Sequence, residues 1–204
     1  SNASSPTPTW NLVIASTANI SSTNNTYSWP TVADVSSDDC KIRVFGIDAL
    51  HNNVVAESGI FTIRGYVQVV SPTAVDAFTV AQTLVKIRWN KSTAINKVAI
   101  YYRINTGAWV PIDTAYSGGG GSSAYEYDWT VPDAISNNVE VRVVDMTDSS
   151  MASGNRSESI SGSFDIKGKI EQVTSISIDE GLIVDSSKTI SWTFTGTITE
   201  VKLY

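Results

Sequence analysis

The sequence has little of what most catalytic and metal sites need. Its 204 residues include one cysteine, Cys40, and one histidine, His51, so an intrachain disulfide and a His-rich metal site are both excluded. No apolar run approaches the roughly 20 residues that a membrane-spanning helix requires. Charged residues make up 17% of the chain, and the net charge is −6. An acidic surface repels phosphate backbones and anionic lipids, so we expect neither nucleic acid nor membrane-surface binding.

The rest of the composition is that of a folded globular chain. Hydrophobic residues make up 42%, including 6 Trp and 8 Tyr, which is enough apolar surface to build a core. Low charge with abundant Ser, Thr and Asn favours an extracellular or cell-surface location. The opening Ser1, Asn2 and Ala3 are typical of an expression scar, so we expect the natural N-terminus to lie elsewhere.

The chain repeats itself at an offset of about 100 residues. Tyr27 and Trp29, in YSWPTVAD, return as Tyr127 and Trp129, in YDWTVPD. Other matches are Trp10 with Trp109, CKIRV (40–44) with VEVRV (139–143), FTIRG (61–65) with FDIKG (164–168), IRW (87–89) with ISW (190–192), and VAIY (98–101) with VKLY (201–204). The offset exceeds any helical solenoid unit and is typical of a small β-sandwich.

The matched stretches alternate with period two, which predicts half-buried strands. In VEVRVV, for example, Val139, Val141 and Val143 share one face, while Glu140 and Arg142 share the other. Turn residues separate the alternating runs, and no stretch has the pattern of an amphipathic helix. We predict seven strands in one repeat, near 66–71, 83–90, 96–104, 108–113, 124–131, 138–145 and 160–167.

The stretch LVKIRWNKSTAINKVAIYYRI (84–104) resembles the fibronectin type III pattern, with a Trp closing one strand and a Tyr in the next. The whole unit resembles the Ig-like repeats of large bacterial surface proteins. It is also similar to the Ig-like module of Ser/Thr-rich cell-wall proteins linked to yeast glucan assembly. The resemblance implies an all-β fold of tandem seven-stranded antiparallel β-sandwiches, and it transfers no functional residues.

The repeat divides the chain into three segments. The first segment (1–65) supplies the last strands of one Ig-like repeat, the middle segment (66–168) is a complete repeat, and the last segment (169–204) supplies the first strands of another. A half-sandwich leaves apolar surface in water, so we expect the two halves to meet between chains, in a strand-exchanged dimer or a head-to-tail line. The alternative is that segment 1–65 forms a smaller sandwich in which residues 4–26 serve as substitute strands. Segment 169–204 would then dock on that sandwich or on the middle segment.

Candidate catalytic residues are few, and each has a structural explanation. Cys40 aligns with Val139 on an inward face, which favours a small core residue. His51 lies in a loop without a second histidine. Glu126 and Asp128 lie two residues apart on one strand, as a glycosidase pair could, but a polar solvent face explains them better. The glycines of SGGGGSS (117–123) lack the Gly-Lys-Ser/Thr ending of a phosphate loop.

A calcium site near a segment boundary is a further hypothesis, although no DxDxDG loop is present. Its candidate ligands are Asp38, Asp39, Asp145, Asp148, Asp179 and Glu180.

The aromatic residues divide into core and surface candidates. Trp29, Trp89, Trp129 and Trp192, with Tyr27 and Tyr127, recur at matching positions and are predicted to be core. Tyr101, Tyr116 and Tyr125 are candidates for an outward-facing set that stacks on sugar rings.

The sequence therefore favours a non-catalytic extracellular structural or spacer repeat of a larger surface or secreted protein, with an adhesive role as one possibility and with no cofactor. Its expected partners are the other repeats of that protein. The alternative is a carbohydrate-binding module for cell-wall or extracellular polysaccharide that uses exposed tyrosines and polar loop residues.

Overall fold

The computed structural model describes residues 10, 26–47, 49–52, 54–118, 124–147, 151–173 and 181–204. The chain divides into two compact units, Ser1–Ala33 and Asp34–Tyr204, which are described separately. In the first unit, Trp29 is partly buried, and Tyr27 is 45% exposed rather than in a core as predicted.

The second unit is all-β, and its only helical turn among the described residues is the 3₁₀ turn Ser153–Asn155. Its strands are β1 (Ser37–Cys40), β2 (Arg43–Phe45), β3 (Val55–Glu57), β4 (Phe61–Ile63), β5 (Val67–Ser71), β6 (Ala77–Thr79), β7 (Val85–Lys91), β8 (Val98–Ile104), β9 (Val110–Tyr116), β10 (Ala124–Trp129), β11 (Ser136–Asp145), β12 (Glu158–Ile160), β13 (Phe164–Lys167), β14 (Lys169–Val173) and β15 (Trp192–Thr195).

The middle segment contains two sheets that share one core, an arrangement consistent with a β-sandwich. One sheet has the order β10-β7-β5, and the other has the order β6-β13-β11-β8-β9, with β12 added beside β11. Apolar side chains from both sheets form one buried cluster, which includes Trp89, Trp129, Ile100, Val141 and Phe164. The predicted inward face of β11 is confirmed at its centre, where Val141 and Val143 are fully buried, and Ile100 of the neighbouring β8 is fully buried as well.

The predicted strands match the middle segment except in two places. The strand predicted at 160–167 is interrupted, because the Ser161 hydroxyl accepts a hydrogen bond from the Val141 amide at 2.9 Å and donates to the Gly162 carbonyl at 2.8 Å. A side chain therefore replaces one step of the backbone ladder and separates β12 from β13. The additional strand, β6, has only three residues and pairs in parallel with β13, so its alternation is too short to recognise.

Strand pairings in the first segment recur in the middle segment at the aligned residues. In the first segment, Ser37 pairs with Ile63 and Cys40 pairs with Phe61. The aligned pairs in the middle segment are Ser136 with Ile166 and Val139 with Phe164, and both ladders shift register between the two pairs. The β2–β3 pairing recurs in the β11–β12 pairing with the same register. The sequence repeat therefore corresponds to a repeat of backbone pairing.

Matching residues differ strongly in exposure. Val44 is 68% exposed, whereas the aligned Val143 is fully buried. Leu203 is 58% exposed, whereas the aligned Ile100 is also fully buried. Val44 and Leu203 are thus exposed at apolar positions that the middle segment covers.

Candidate functional site

Outside the core, specific side-chain hydrogen bonds hold the junction between the first and middle segments. The Asp34 carboxylate accepts hydrogen bonds from the backbone amide of Thr93 at 2.9 Å, from the Thr93 hydroxyl, and from the Ala94 amide at 3.3 Å. Thr93 and Ala94 lie in the turn between β7 and β8, where backbone amides have no strand partner. Asp34 therefore caps a turn of the neighbouring segment.

The junction between the middle and last segments repeats this arrangement. Asp133, which aligns with Asp34, accepts hydrogen bonds from the Thr197 amide at 3.1 Å and from the Thr197 hydroxyl at 2.6 Å. Thr197 aligns with Ala94, because IRWNKSTAI (87–95) matches ISWTFTGTI (190–198) without a gap. Asp133 thus caps the same turn of the next segment.

The threonine hydroxyls that contact the two carboxylates come from adjacent positions in the alignment of the two turns. Gly196 stands where the first turn has Thr93, and its φ of +90° is one that side-chain-bearing residues rarely adopt. The hydroxyl contact is made instead by the following residue, Thr197. In both turns a carboxylate therefore accepts hydrogen bonds from one threonine hydroxyl and one backbone amide. The threonine lies one aligned position later in the second turn.

A glycine–isoleucine contact is also repeated at both junctions. A Cβ atom built on Gly65 would meet the Ser92 hydroxyl and would lie 2.9 Å from Ile95 Cδ1. A Cβ atom on the aligned Gly168 would lie 2.7 Å from Cγ1 of Ile198, the residue that aligns with Ile95. Each linker therefore passes so close to a side chain of the following segment that a Cβ atom at the glycine would force that side chain to move.

Further polar contacts cross the first junction. They are Ser36 Oγ to Asp145 Oδ2 at 2.7 Å, the Ala152 amide to Asp38 Oδ2 at 3.3 Å, an Arg64 guanidinium nitrogen to Asn155 Oδ1 at 3.1 Å, and the Ser157 hydroxyl to the Gly65 carbonyl. Several independent contacts therefore fix the direction in which the chain enters the middle segment.

The charge state of both capping carboxylates follows from these contacts. The Thr93 hydroxyl, with the amides of Ala94 and Thr93, holds the pKa of Asp34 below its ordinary value, against a smaller opposing effect of burial. The Thr197 hydroxyl and amide lower the pKa of Asp133 in the same way. Both caps are therefore ionised at neutral pH, which strengthens the hydrogen bonds they accept.

The three tyrosines predicted to face outward do not form one open aromatic surface. Tyr125 is 7% exposed: its ring stacks on Trp89 at a centroid distance of 6.3 Å, and Lys91 Nζ lies 3.9 Å from its centre. Tyr116 packs edge-on against Trp89 and Tyr127, and its hydroxyl donates to the Glu126 carbonyl at 2.8 Å.

Tyr101 is partly exposed on the opposite sheet, where the Arg142 guanidinium lies 5.0 Å from its ring centre. Arg142 and Arg103 also lie over the ring of Trp109, at 4.6 and 4.4 Å. These cation–π contacts occupy aromatic faces that a sugar ring would otherwise use.

Of the other predicted candidates, Glu126 and Asp128 lie close together on β10, where both carboxylates contact Lys86. The carboxylate of Glu126 is paired with Lys86 at 2.9 Å and with Arg88 at 3.2 Å, and Asp128 is paired with Lys86 at 2.6 Å. Hydrogen bonds from Lys86 and Arg88 lower the pKa of Glu126, which opposes a role as a proton donor. Cys40 is partly buried, and His51 is exposed in the turn between β2 and β3.

The structure describes three of the proposed calcium ligands. Asp145 is almost fully buried and accepts hydrogen bonds from Ser36 and from the Thr147 amide at 2.8 Å, Asp38 accepts one from Ala152, and Asp39 is exposed. Asp148, Asp179 and Glu180 lie outside the described residues, as do residues 119–123 of the glycine-rich loop. Within the described ranges, no three His, Cys, Asp or Glu side chains gather as a metal site.

The junction residues are not among the predicted site residues, although the sequence contains a signal for them. Asp34 and Asp133 both follow the repeated Tyr-x-Trp, and Gly65 and Gly168 both end an aligned strand. A polar residue and a glycine that recur at segment ends indicate a contact between segments.

Comparisons with known proteins add no assignment. No protein-family model matches the chain. No curated protein matches it either. In the described part of the structure, no helix has the length and apolar character needed to cross a membrane.

Proposed function

We propose that the chain is a non-catalytic structural spacer, made of seven-stranded Ig-like or fibronectin type III-like sandwiches set end to end in a larger surface or secreted protein. The strand order of the middle segment supports this fold: β10-β7-β5 faces β9-β8-β11-β13, as in sandwiches of that class. The scarcity of cysteine and charge, with abundant Ser and Thr, supports the extracellular setting.

One observation carries the spacer role: both junctions use the same contacts. A carboxylate caps the turn of the following segment, and a glycine packs against the aligned isoleucine, at each of two joins about 100 residues apart. A flexible linker would need neither contact. Repeated specific contacts at short linkers set each segment at a defined angle to the next, which is what a spacer of fixed length requires.

The proposal is tested by the spread of distances across the first junction. Spin labels at Gly59→Cys and Val110→Cys, in a Cys40→Val background, report on the two sides because both label sites are exposed. Asp34→Ala should broaden the measured distance distribution, because it removes the cap on the neighbouring turn.

The matched control is Asp76→Ala. Asp76 accepts the same two kinds of hydrogen bond, from the Thr73 amide at 2.6 Å and the Thr73 hydroxyl at 2.9 Å, but both partners lie within the middle segment. Asp76→Ala should leave the distribution narrow. A distribution that is already broad without these substitutions, or equal broadening by both, would contradict the spacer role.

Binding of polysaccharide through Tyr101, Tyr116 and Tyr125 is the less favoured proposal. Their rings contact Arg142, Trp89 and Lys91 rather than forming a continuous aromatic platform. No described contact favours a sugar over these neighbours.

A further inference from the structure

The two junctions lie at opposite ends of the middle segment. Strand β11 begins at Ser136, next to the cap Asp133 of the second junction, and ends at Asp145, which contacts Ser36 at the first. Its ten residues span about 30 Å. Tension along the chain therefore pulls the two ends of the middle segment in opposite directions.

One strand pairing links the part of the chain that enters the middle segment to the part that leaves it. The entering chain forms β5 and then β6, and β13 ends at Lys167, directly before Gly168 of the second junction. Strand β6 pairs with β13 in parallel, with Ala77 opposite Asp165 and Thr79 opposite Lys167. Every other pairing among the described strands is antiparallel. The direction of this one pairing therefore sets it apart from the rest of the fold.

The parallel direction decides how tension acts on the β6–β13 pair. Tension from the first junction draws β5 and β6 toward their own beginnings, and tension from the second junction draws β13 toward its own end. Because β6 and β13 run the same way, the two forces are opposite and lie along the strands, so the bonds between them are loaded together in shear. An antiparallel pair in this place would be pulled from one end and would open one bond at a time.

Backbone hydrogen bonds extend the β6–β13 pair at both ends. The Asp165 amide donates to the Asp76 carbonyl at 3.1 Å, just before β6 begins. The Val80 amide donates to the Lys167 carbonyl at 2.9 Å, just after β6 ends. More bonds therefore share the tension than the three paired positions alone would provide.

Two side-chain contacts add to the link between the entering and leaving strands. Nearer the first junction, the Val69 amide of β5 donates to the Ser159 hydroxyl of β12 at 3.0 Å. On the inner side of the pair, the rings of Phe78 and Phe164 meet edge-on at a centroid distance of 5.5 Å, and Phe164 is almost fully buried. Sliding β6 along β13 would therefore also disrupt packing in the core.

We propose that the middle segment bears tension, and that the β6–β13 pair resists extension of the segment by shear. This inference rests on the proposed function, because a spacer carries tension whenever its two ends are held apart. It adds to that function a direction: the segment resists a pull between its two junctions more strongly than a pull of the same size in other directions.

Single-molecule force spectroscopy of the full chain tests this direction. Handles at Tyr66→Cys and Lys169→Cys, in a Cys40→Val background, load the β6–β13 pair in shear, and both sites are exposed. Moving one handle from Tyr66 to the exposed Thr83, shortly after β6, places both handles at the same end of the pair. We expect a rupture force several-fold higher in the first geometry at the same loading rate. Equal forces, or a higher force with the handle at Thr83→Cys, would overturn the proposal.

A matched pair of core variants tests whether the β6–β13 pair is the part that resists. Phe78 and Tyr127 are both partly buried against the core, and each meets one neighbouring ring edge-on, Phe164 at 5.5 Å and Tyr116 at 5.2 Å. Phe78→Leu and Tyr127→Leu should each lower the midpoint of urea denaturation. Only Phe78→Leu should lower the rupture force between handles at the two junctions, because Tyr127 lies on β10, outside the pair. An unchanged force for Phe78→Leu, or an equal loss for both variants, would overturn the proposal.

Failure of this inference is distinguishable from failure of the spacer role. A narrow distance distribution across the first junction, together with equal rupture forces in the two geometries, would keep the spacer and remove the resistance to tension. A broad distribution together with a higher force between the two junctions would remove the spacer of fixed length and keep the shear-resistant pair.

Discussion

The carboxylate of Asp34 holds the amide of Thr93 at 2.9 Å across the join between two successive segments. Asp133 holds Thr197 in the same way at the next join, with an amide distance of 3.1 Å. Both contacts use side chains at segment ends rather than in the core. They are present at both joins even though the loops of the segments differ in sequence. The contact between successive segments is therefore repeated together with the strand sequences.

The first prediction concerns the pH dependence of the junctions. The pKa values of Asp34 and Asp133 are lowered by their hydrogen bonds, so the capped state favours the ionised carboxylates. The stabilisation is complete above the ordinary value of 3.8 and is lost as the pH falls through the lowered folded-state values. We expect the distance distribution across the first junction to stay narrow from neutral pH down to about 4 and to broaden only below it.

The Asp34→Ala variant is the control for this titration. Its distribution should already be broad at neutral pH, since the cap is absent. Broadening of the unmodified protein between pH 7 and pH 5 would contradict the prediction, because a lowered carboxyl pKa has no transition in that range.

The second prediction concerns the glycine of the first linker. An alanine at Gly65 would place its Cβ against the Ser92 hydroxyl and 2.9 Å from Ile95 Cδ1, and Ile95 is fully buried. Ile95 therefore has little room to move, and we expect Gly65→Ala to destabilise the protein by about 1–3 kcal/mol, as overpacking does. Urea denaturation followed by the fluorescence of buried tryptophan measures this change.

Gly154 provides the comparison for Gly65. A Cβ atom at Gly154 meets no atom within 4 Å, and Gly154→Ala should therefore change the denaturation midpoint little. Equal effects of the two substitutions would show that the approach of Gly65 to Ile95 is not a tight contact.

The fold was predictable where alternation was long, and it was not where a single side chain decided the structure. The seven-residue strand β8 and the ten-residue strand β11 have enough period-two signal to be located. The interruption at Ser161 depends on where one hydroxyl points, which periodicity does not describe. The prediction that Tyr125 faces outward was wrong for another reason. Tyr125, Tyr127 and Trp129 are spaced two residues apart, so the alternation that places Tyr127 and Trp129 on the inward face also places Tyr125 there.

The junction was harder to predict than the core. An Asp that follows a strand is also typical of an ordinary turn, and only its recurrence beside the paired Gly65 and Gly168 separates the two interpretations.

The last prediction compares two aligned serines, Ser161 in the middle segment and Ser58 in the first segment. Ser161 and Ser58 are aligned and make the same contacts: each hydroxyl accepts a 2.9 Å bond from an amide, of Val141 and Ile42 respectively, and each donates to a following glycine carbonyl at 2.8 Å. Ser161 and Val141 are buried, whereas Ser58 is exposed and Ile42 is 38% exposed. The two sites therefore differ mainly in access to water.

Replacing each serine by alanine should show how the loss in the free energy of unfolding depends on the burial of the contact. Ser161→Ala leaves the buried Val141 amide without an acceptor, and we expect a loss of about 1–3 kcal/mol in the free energy of unfolding. Ser58→Ala leaves an amide that water can reach, so its effect should stay within about 0.5 kcal/mol. Paired urea denaturation curves measure the difference. Equal effects would mean that the first segment is as well covered in solution as the middle one, which in a dilute monomer would contradict the exposure of its core face.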